Sequence, residues 1–194
     1  MINLAVGSFI GIGVFVIIIV LLVLVIQAYN ILVDLRNKVR NSWSQIDIQL
    51  KRRFDMIPNL VETVKGYAKH EQSIFGAFAE ARQLYQHASE KNDVGLAAQA
   101  EKSLGGALSR LMVVQEKYPE LQANSNFQEL MEQLSDTEDK ISFSRQFYND
   151  TAMKMNNKVE MFPSNIVAGM FHFEKVEYFE ITVDAQKEAP KVTF

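Results

Sequence analysis

The stretch QAYNILVDLRNKVRNSWSQIDIQLKRRFDMIPNLVETVKGYAKHEQSIFGAFAEARQLY, residues 27–85, decides the fold. Its apolar positions are Leu32, Leu35, Val39, Trp43, Ile46, Leu50, Phe54, Ile57, Val61, Val64 and Ala68, in steps of three and four. A half-buried strand repeats every second residue, whereas a helix buried along one face repeats about every 3.6. The spacing therefore predicts a long amphipathic helix or coiled-coil seam, and the register carries on through Glu71, Ile74, Phe78, Ala81 and Tyr85. Pro58 removes one backbone donor and crowds the carbonyl four residues back, so a kink is expected there. The apolar phase crosses this proline unshifted and no Gly, Asn or Ser insertion marks a turn, so a chain reversal at Pro58 is not expected.

Upstream, Leu4 to Ile26 carries no charged residue and is rich in Val, Ile and Leu. At about 1.5 Å of rise per residue, this run crosses the roughly 30 Å hydrocarbon layer of a bilayer. A cleaved signal peptide fits poorly. No Lys or Arg precedes the run, the run is too long, and no Ala-x-Ala site stands before Tyr29. Residues 1–27 are expected to be a retained transmembrane anchor. Arg36, Lys38 and Arg40, then Lys51, Arg52 and Arg53, follow it, which by the positive-inside rule puts the N-terminus outside and the following domain in the cytoplasm. Gly7 and Gly11 form a small-xxx-small pair with Gly13 close by, a spacing that lets membrane helices associate. Glycine is also simply common in membrane spans. The expectation drawn is self-association into a homo-oligomer through this face.

Downstream, residues 28–175 read as one helical domain. The first run ends near Ala88, and Lys91-Asn92-Asp93 is a turn with Asp93 as N-cap of the next helix. That helix carries Ala97, Ala100, Leu104, Ala107, Leu111 and Val114 on its seam, and Gly105-Gly106 in its middle suggests close approach of a neighbour. Tyr118-Pro119 stops it. Ser125 and Gln128 have the spacing of a capping box before a last long helix with Phe127, Leu134, Ile141, Tyr148, Ala152, Met155 and Phe162 in heptad register. Beyond Pro163, a short helix over 166–171 with Val167, Met170, Phe171 and Phe173 either caps the base of the bundle or presents an apolar patch. Residues 176–194 form a tail that alternates weakly like a strand at Tyr178, Ile181 and Val183 and then loosens. The fold class expected is all-α: an antiparallel up-and-down bundle of about four long helices on a single N-terminal transmembrane helix.

Composition narrows the function. The 194 residues carry a formal net charge of -3, which gives no bulk electrostatic case for nucleic-acid binding. The absence of cysteine excludes disulfides, thiolate metal sites and thiol nucleophiles. Of the three histidines, His70, His87 and His172, none stands in a His-Glu-x-x-His or Glu-x-x-His pattern, and His70 and Glu71, being adjacent, diverge on a helix. There is no Gly-x-Ser-x-Gly elbow and no Gly-rich phosphate loop. No catalytic, cofactor or metal residue is therefore expected, and the chain reads as a non-enzyme. Charged residues on the apolar seams say more. Glu71, Glu138 and Arg145 fall in register and Arg82 at its edge, so an interior Glu–Arg set is expected that fixes helix pairing. A slight rotation would instead leave these four at the bundle's edge in solvent. Lys51, Arg52 and Arg53 read either as one solvated face or as a protein-partner contact.

Several stretches together resemble the LemA family of bacterial membrane-anchored proteins. They are YNILVDLRNKVRNSWSQIDIQLKRRFDMIPNLVETVKGYAKHE at 29–71, EKYPELQANSNFQEL at 116–130, TEDKISFSRQFYND at 137–150 and FPSNIVAGMFHF at 162–173. Met155 and Ser144 depart from the family's usual Tyr and Ala. The resemblance implies a helical bundle on one membrane helix in the bacterial inner membrane. It also implies an association with a membrane-embedded zinc metallopeptidase of the HtpX type and with envelope stress, without a settled biochemical activity. The expected function is a membrane-anchored scaffold or adaptor for envelope quality control that self-assembles and engages envelope proteins. The alternative is a transmembrane relay of signals or stress to a cytoplasmic partner.

Overall fold

The computed structural model describes residues 2–180, with side chains from Gly11 onward. Among these residues there are six helices and no strand: α1 (Ile2–Tyr67), α2 (Gln72–Lys91), α3 (Val94–Gln115), α4 (Pro119–Gln122), α5 (Ser125–Glu160) and α6 (Ser164–Met170). The all-α expectation holds. Tyr178 lies in non-strand backbone, and the strand-like positions Ile181 and Val183 fall outside the described residues.

The long first run reads differently from the expectation at one place. α1 is helical on both sides of Pro58 but ends at Tyr67, and the chain turns over 68–71 before α2 begins. Ala68 and Ile74 are both buried, while Lys69 and His70 between them are exposed. The apolar period survives the turn because both helices direct their buried faces at the same core. Periodicity alone does not distinguish such a reversal from a straight continuation. Glu71, counted in the seam, is half-buried at the non-helical N-cap of α2, with φ -86° and ψ 51°.

Two compact units divide the described residues: 2–42 with 150–176, and 43–149 with 177–180. In the second, α1 and α2 run antiparallel, since Phe54 stacks on Tyr85 at a 4.4 Å centroid distance and Lys65 lies over the Phe75 ring. The part of α5 in this unit, 125–149, also runs antiparallel to α1: Trp43 meets Tyr148 edge-on, and Asn124, just before α5, donates to the Tyr67 hydroxyl. α3 packs on α2, completing a four-helix core of Ile46, Leu50, Phe54, Phe78, Leu104, Leu111 and Ile141. Side-chain oxygens cap two of these helices. Asp93 accepts from the Leu96 N–H as expected, whereas α5 is capped by Asn124, which accepts from Phe127 N–H, and not by Ser125. Gly105 and Gly106 meet no neighbour within 4 Å of an added Cβ, so they mark no close helix approach.

The first unit pairs the N-terminal part of α1 with the end of α5 and with α6. Leu32 and Val39 are buried here, as are Met155, Val167 and Phe173. From Gly11 to Ile26 the side chains of α1 are exposed. The most apolar window of this helix has a mean hydropathy of 3.1 with none of it buried, so it is long and apolar enough to cross a membrane.

Candidate functional site

Arg53 lies seven residues from both Ile46 and Leu60, so the same face of α1 that builds the core also carries this guanidinium inward. It is 5% exposed. Its Nη1 donates to Glu101 Oε1 on α3 and to Glu138 Oε2 on α5, which joins three helices through one nitrogen. Glu101 is 3% exposed, and Glu138 is half-buried. Burial lowers the Arg53 pKa, opposed by the nearby Glu138 carboxylate and its hydrogen bond. A buried charge without its partner costs several kcal/mol, on the order of 3–5, so the arrangement specifies which helices meet and in which register.

A second cluster forms where the C-terminal segment returns. Trp43 lies 6.0 Å from the Tyr148 ring and 6.1 Å from Phe179, which is fully buried. The Trp43 indole donates to Asn92 Oδ1 at 2.8 Å. Asn92 can serve here because it already ends α2 in the left-handed region, at φ 52°, which Asn tolerates better than most residues. Tyr148 donates its hydroxyl to the Glu177 carbonyl at 2.8 Å. Burial, and then the Glu177 charge, push the Tyr148 pKa up to about 12. Asn149 grips Phe179 by both backbone groups: its amide donates to the carbonyl at 3.1 Å, and its oxygen accepts from the N–H at 2.9 Å. In the first unit Asn156 does the same to Val176, at 3.0 and 2.8 Å. Each asparagine takes the place of a strand partner for a non-helical segment that pairs with no strand among the described residues.

Tyr85 completes the α1–α2 face. Its hydroxyl donates to Asp47 at 3.2 Å, and burial together with that carboxylate raises its pKa. A groove of about 440 Å³ opens beside it, lined by Lys51, Asp55, Arg82 and Glu90 among others. These charges are of both signs and solvated. Among the described residues no group of three or more His, Asp or Glu is placed to hold a metal ion.

The residues singled out from sequence are dispersed. Of the interior set, Glu138 enters the buried ion pair, but with Arg53 instead of Arg82 or Arg145. Arg82 is exposed on the α2 surface, Arg145 is half-buried on α5, and Glu71 sits in the 68–71 turn. The basic run Lys51-Arg52-Arg53 splits three ways: Lys51 pairs with Asp55 at 2.9 Å, Arg52 is exposed near Asp136, and Arg53 faces the core. Successive helical residues are rotated by about 100°, so three neighbours cannot share one face. Arg53 is thus withdrawn from any surface contact. Gly11 and Gly13 are exposed with open space around them, and the Gly7 side-chain position lies outside the described residues.

Glu101, Asn149 and Asn156 are additional. The first has a sequence signal: Ala97, Glu101, Leu104, Leu108 and Leu111 follow steps of four and three, and all are buried. The two asparagines have only their seven-residue spacing.

Comparison with known proteins adds the family context. The model of the LemA family matches residues 42–194. Magnetosome protein MamQ 2 of Paramagnetospirillum magneticum is 26% identical over 179 residues, covering 80% of this chain and 66% of that protein. Magnetosome protein MamQ of Magnetospirillum gryphiswaldense is 26% identical over 178 residues, with coverage of 80% and 65%. Protein LemA of Metamycoplasma hominis is 25% identical over 165 residues, 84% of this chain and 71% of its own. The chain spans about two thirds of the length of the magnetosome relatives that it matches.

Proposed function

The chain belongs to the LemA family, and from that premise we propose that it is a membrane-anchored, non-enzymatic scaffold that self-assembles and holds envelope proteins. The apolar part of α1 carries this reading. A helical stretch of mean hydropathy 3.1, with none of it buried among the described residues, must find cover in lipid or in another chain. Arg36, Lys38 and Arg40 follow that stretch, which supports an N-terminus outside the inner membrane and helical units in the cytoplasm. Gly7 and Gly11, four residues apart with Gly13 close by, share one helix face, a spacing that suits close contact between two such helices. Relatives named as magnetosome proteins align over 80% of this chain, so any role built on its helical units is one that those proteins can share. A membrane-embedded zinc metallopeptidase of the HtpX type is the partner class that family resemblance favours.

The test is the native mass of the full chain in lipid nanodiscs. A scaffold gives a multiple of 22.1 kDa, reduced when Gly7→Ile and Gly11→Ile are introduced together. A monomer at all concentrations contradicts it. The relay reading draws on α1 being one helix from Ile2 to Tyr67, and it is favoured if that monomer still engages a cytoplasmic partner.

A further inference from the structure

From Met161 to Phe173 the chain contains no Asp, Glu, Lys or Arg. This is the turn after α5, the helix α6 and the two residues that follow its C-cap. One face of the segment packs: Val167, Ala168 and Phe173 are buried. The rest stands open, with Met161 62%, Phe162 79%, Ile166 55%, Met170 64% and Phe171 47% exposed. Ile166 and Met170 are four apart and share one face of α6. Five large apolar side chains on a stretch this short form a patch that water does not favour.

What covers the patch follows from where it sits. Phe171 lies 4.8 Å from the Tyr29 ring and Phe173 lies 5.8 Å from it. Tyr29 is three residues beyond Ile26, the last residue of the apolar run, so at about 1.5 Å per residue it stands roughly 5 Å past the end of that run. This is the depth at which Tyr rings mark a bilayer's edge. Arg36, two turns further along α1, lies over the Phe173 ring at 5.1 Å, on the side away from the anchor. The apolar surface therefore begins where the apolar run of α1 ends, and the exposed Glu160–Lys175 ion pair flanks it.

We propose that the 161–171 turn and α6 dip into the lipid interface beside the anchor, giving the protein a second membrane contact. The occupant of the patch is the headgroup–acyl boundary of the bilayer that α1 crosses, and the proposal rests on that anchor reading. The contact is apolar, because no basic residue lies within the segment, so it does not depend on anionic lipid. It ties the end of α5 to the membrane surface at a point separate from the span itself.

The chain has no cysteine, so single labels can be placed in the full chain without first removing native thiols. Ile166→Cys and Met170→Cys, both at exposed positions, are spin-labelled in phosphatidylcholine nanodiscs with and without phosphatidylglycerol. Collision with oxygen is compared with collision with a water-soluble nickel chelate, and Ile19→Cys reports on the anchor. The expected result is oxygen-favoured collision at 166 and 170, at a depth of about 5–10 Å, equal in both lipid mixtures. Nickel-favoured collision at 166 and 170 with Ile19 deep in lipid overturns the proposal and leaves the anchor intact. Labels shielded from both reagents place a second protein or a second copy on the patch and overturn it equally. A water-exposed label at Ile19 removes the anchor reading and the proposal with it.

Discussion

At the scale of single residues, Arg53 binds the helices of its unit more specifically than any apolar contact does. Leucines pack in many registers, but one guanidinium nitrogen meets Glu101 and Glu138 in one register only. Arg53→Met leaves Glu101 buried without its counter-charge, and the expected loss is about 3–5 kcal/mol in denaturant unfolding of the full chain in detergent. Replacing Glu101 by Leu and Glu138 by Gln in the same variant should recover most of it, since the buried charge is then gone too. Arg53 stands seven residues from Ile46 and seven from Leu60, but its charge argued for the surface, as a solvated face or a partner contact, until a buried partner was found. That partner, Glu101, lies 48 residues away on another helix, and no local pattern pairs them.

Tyr148 adds a pH dependence. Its pKa rises from the usual 10.0 to about 12, so the folded chain keeps a proton that the unfolded chain loses. Its stabilising contribution is therefore complete below about pH 10 and is lost as the pH rises through about 12. Tyr148→Phe should flatten this decline in melting temperature between those limits. At neutral pH it should cost about 0.5–1.5 kcal/mol for the lost hydrogen bond to the Glu177 carbonyl.

At the scale of elements, the helices α3 and α5 follow from caps and periodicity, and the break between α1 and α2 does not. Lys69-His70-Glu71 carries no glycine or proline, and the apolar rhythm on either side stays in phase, so a reversal leaves no mark. Gly105-Gly106 misleads in the opposite direction. Glycine pairs suggest close packing, yet both positions face open space in α3. Gly105→Ala and Gly106→Ala should each stabilise the chain by about 0.5–1 kcal/mol in thermal melts, because alanine restricts the unfolded chain and meets nothing in the folded one. The end of the second unit depends on Asn149 in place of strand pairing. Asn149→Ala should raise amide hydrogen exchange at Phe179 by about tenfold or more, while the Leu104 and Leu111 amides stay protected.

At the scale of the whole molecule, the helical class and the helix long and apolar enough to cross a membrane were legible because each rests on a run of like residues: the Leu32-to-Ala68 seam for packing, and Leu4 to Ile26 for apolar length. The interior site was not, because it joins single residues from α1, α3 and α5 that become neighbours only once the chain has reversed. The 166–171 helix read either as a cap on the bundle base or as an apolar patch, and its nearness to Tyr29 is a tertiary fact. The proposed scaffold rests on the long apolar stretch of α1 and on a well-specified helical unit. The most direct test is gentle affinity isolation of the full chain from its own membranes, with partners identified and counted against it. A scaffold predicts an assembly of several copies with one or a few membrane proteins at a fixed ratio. Recovery of the chain alone, at its monomer mass of 22.1 kDa, would contradict the account.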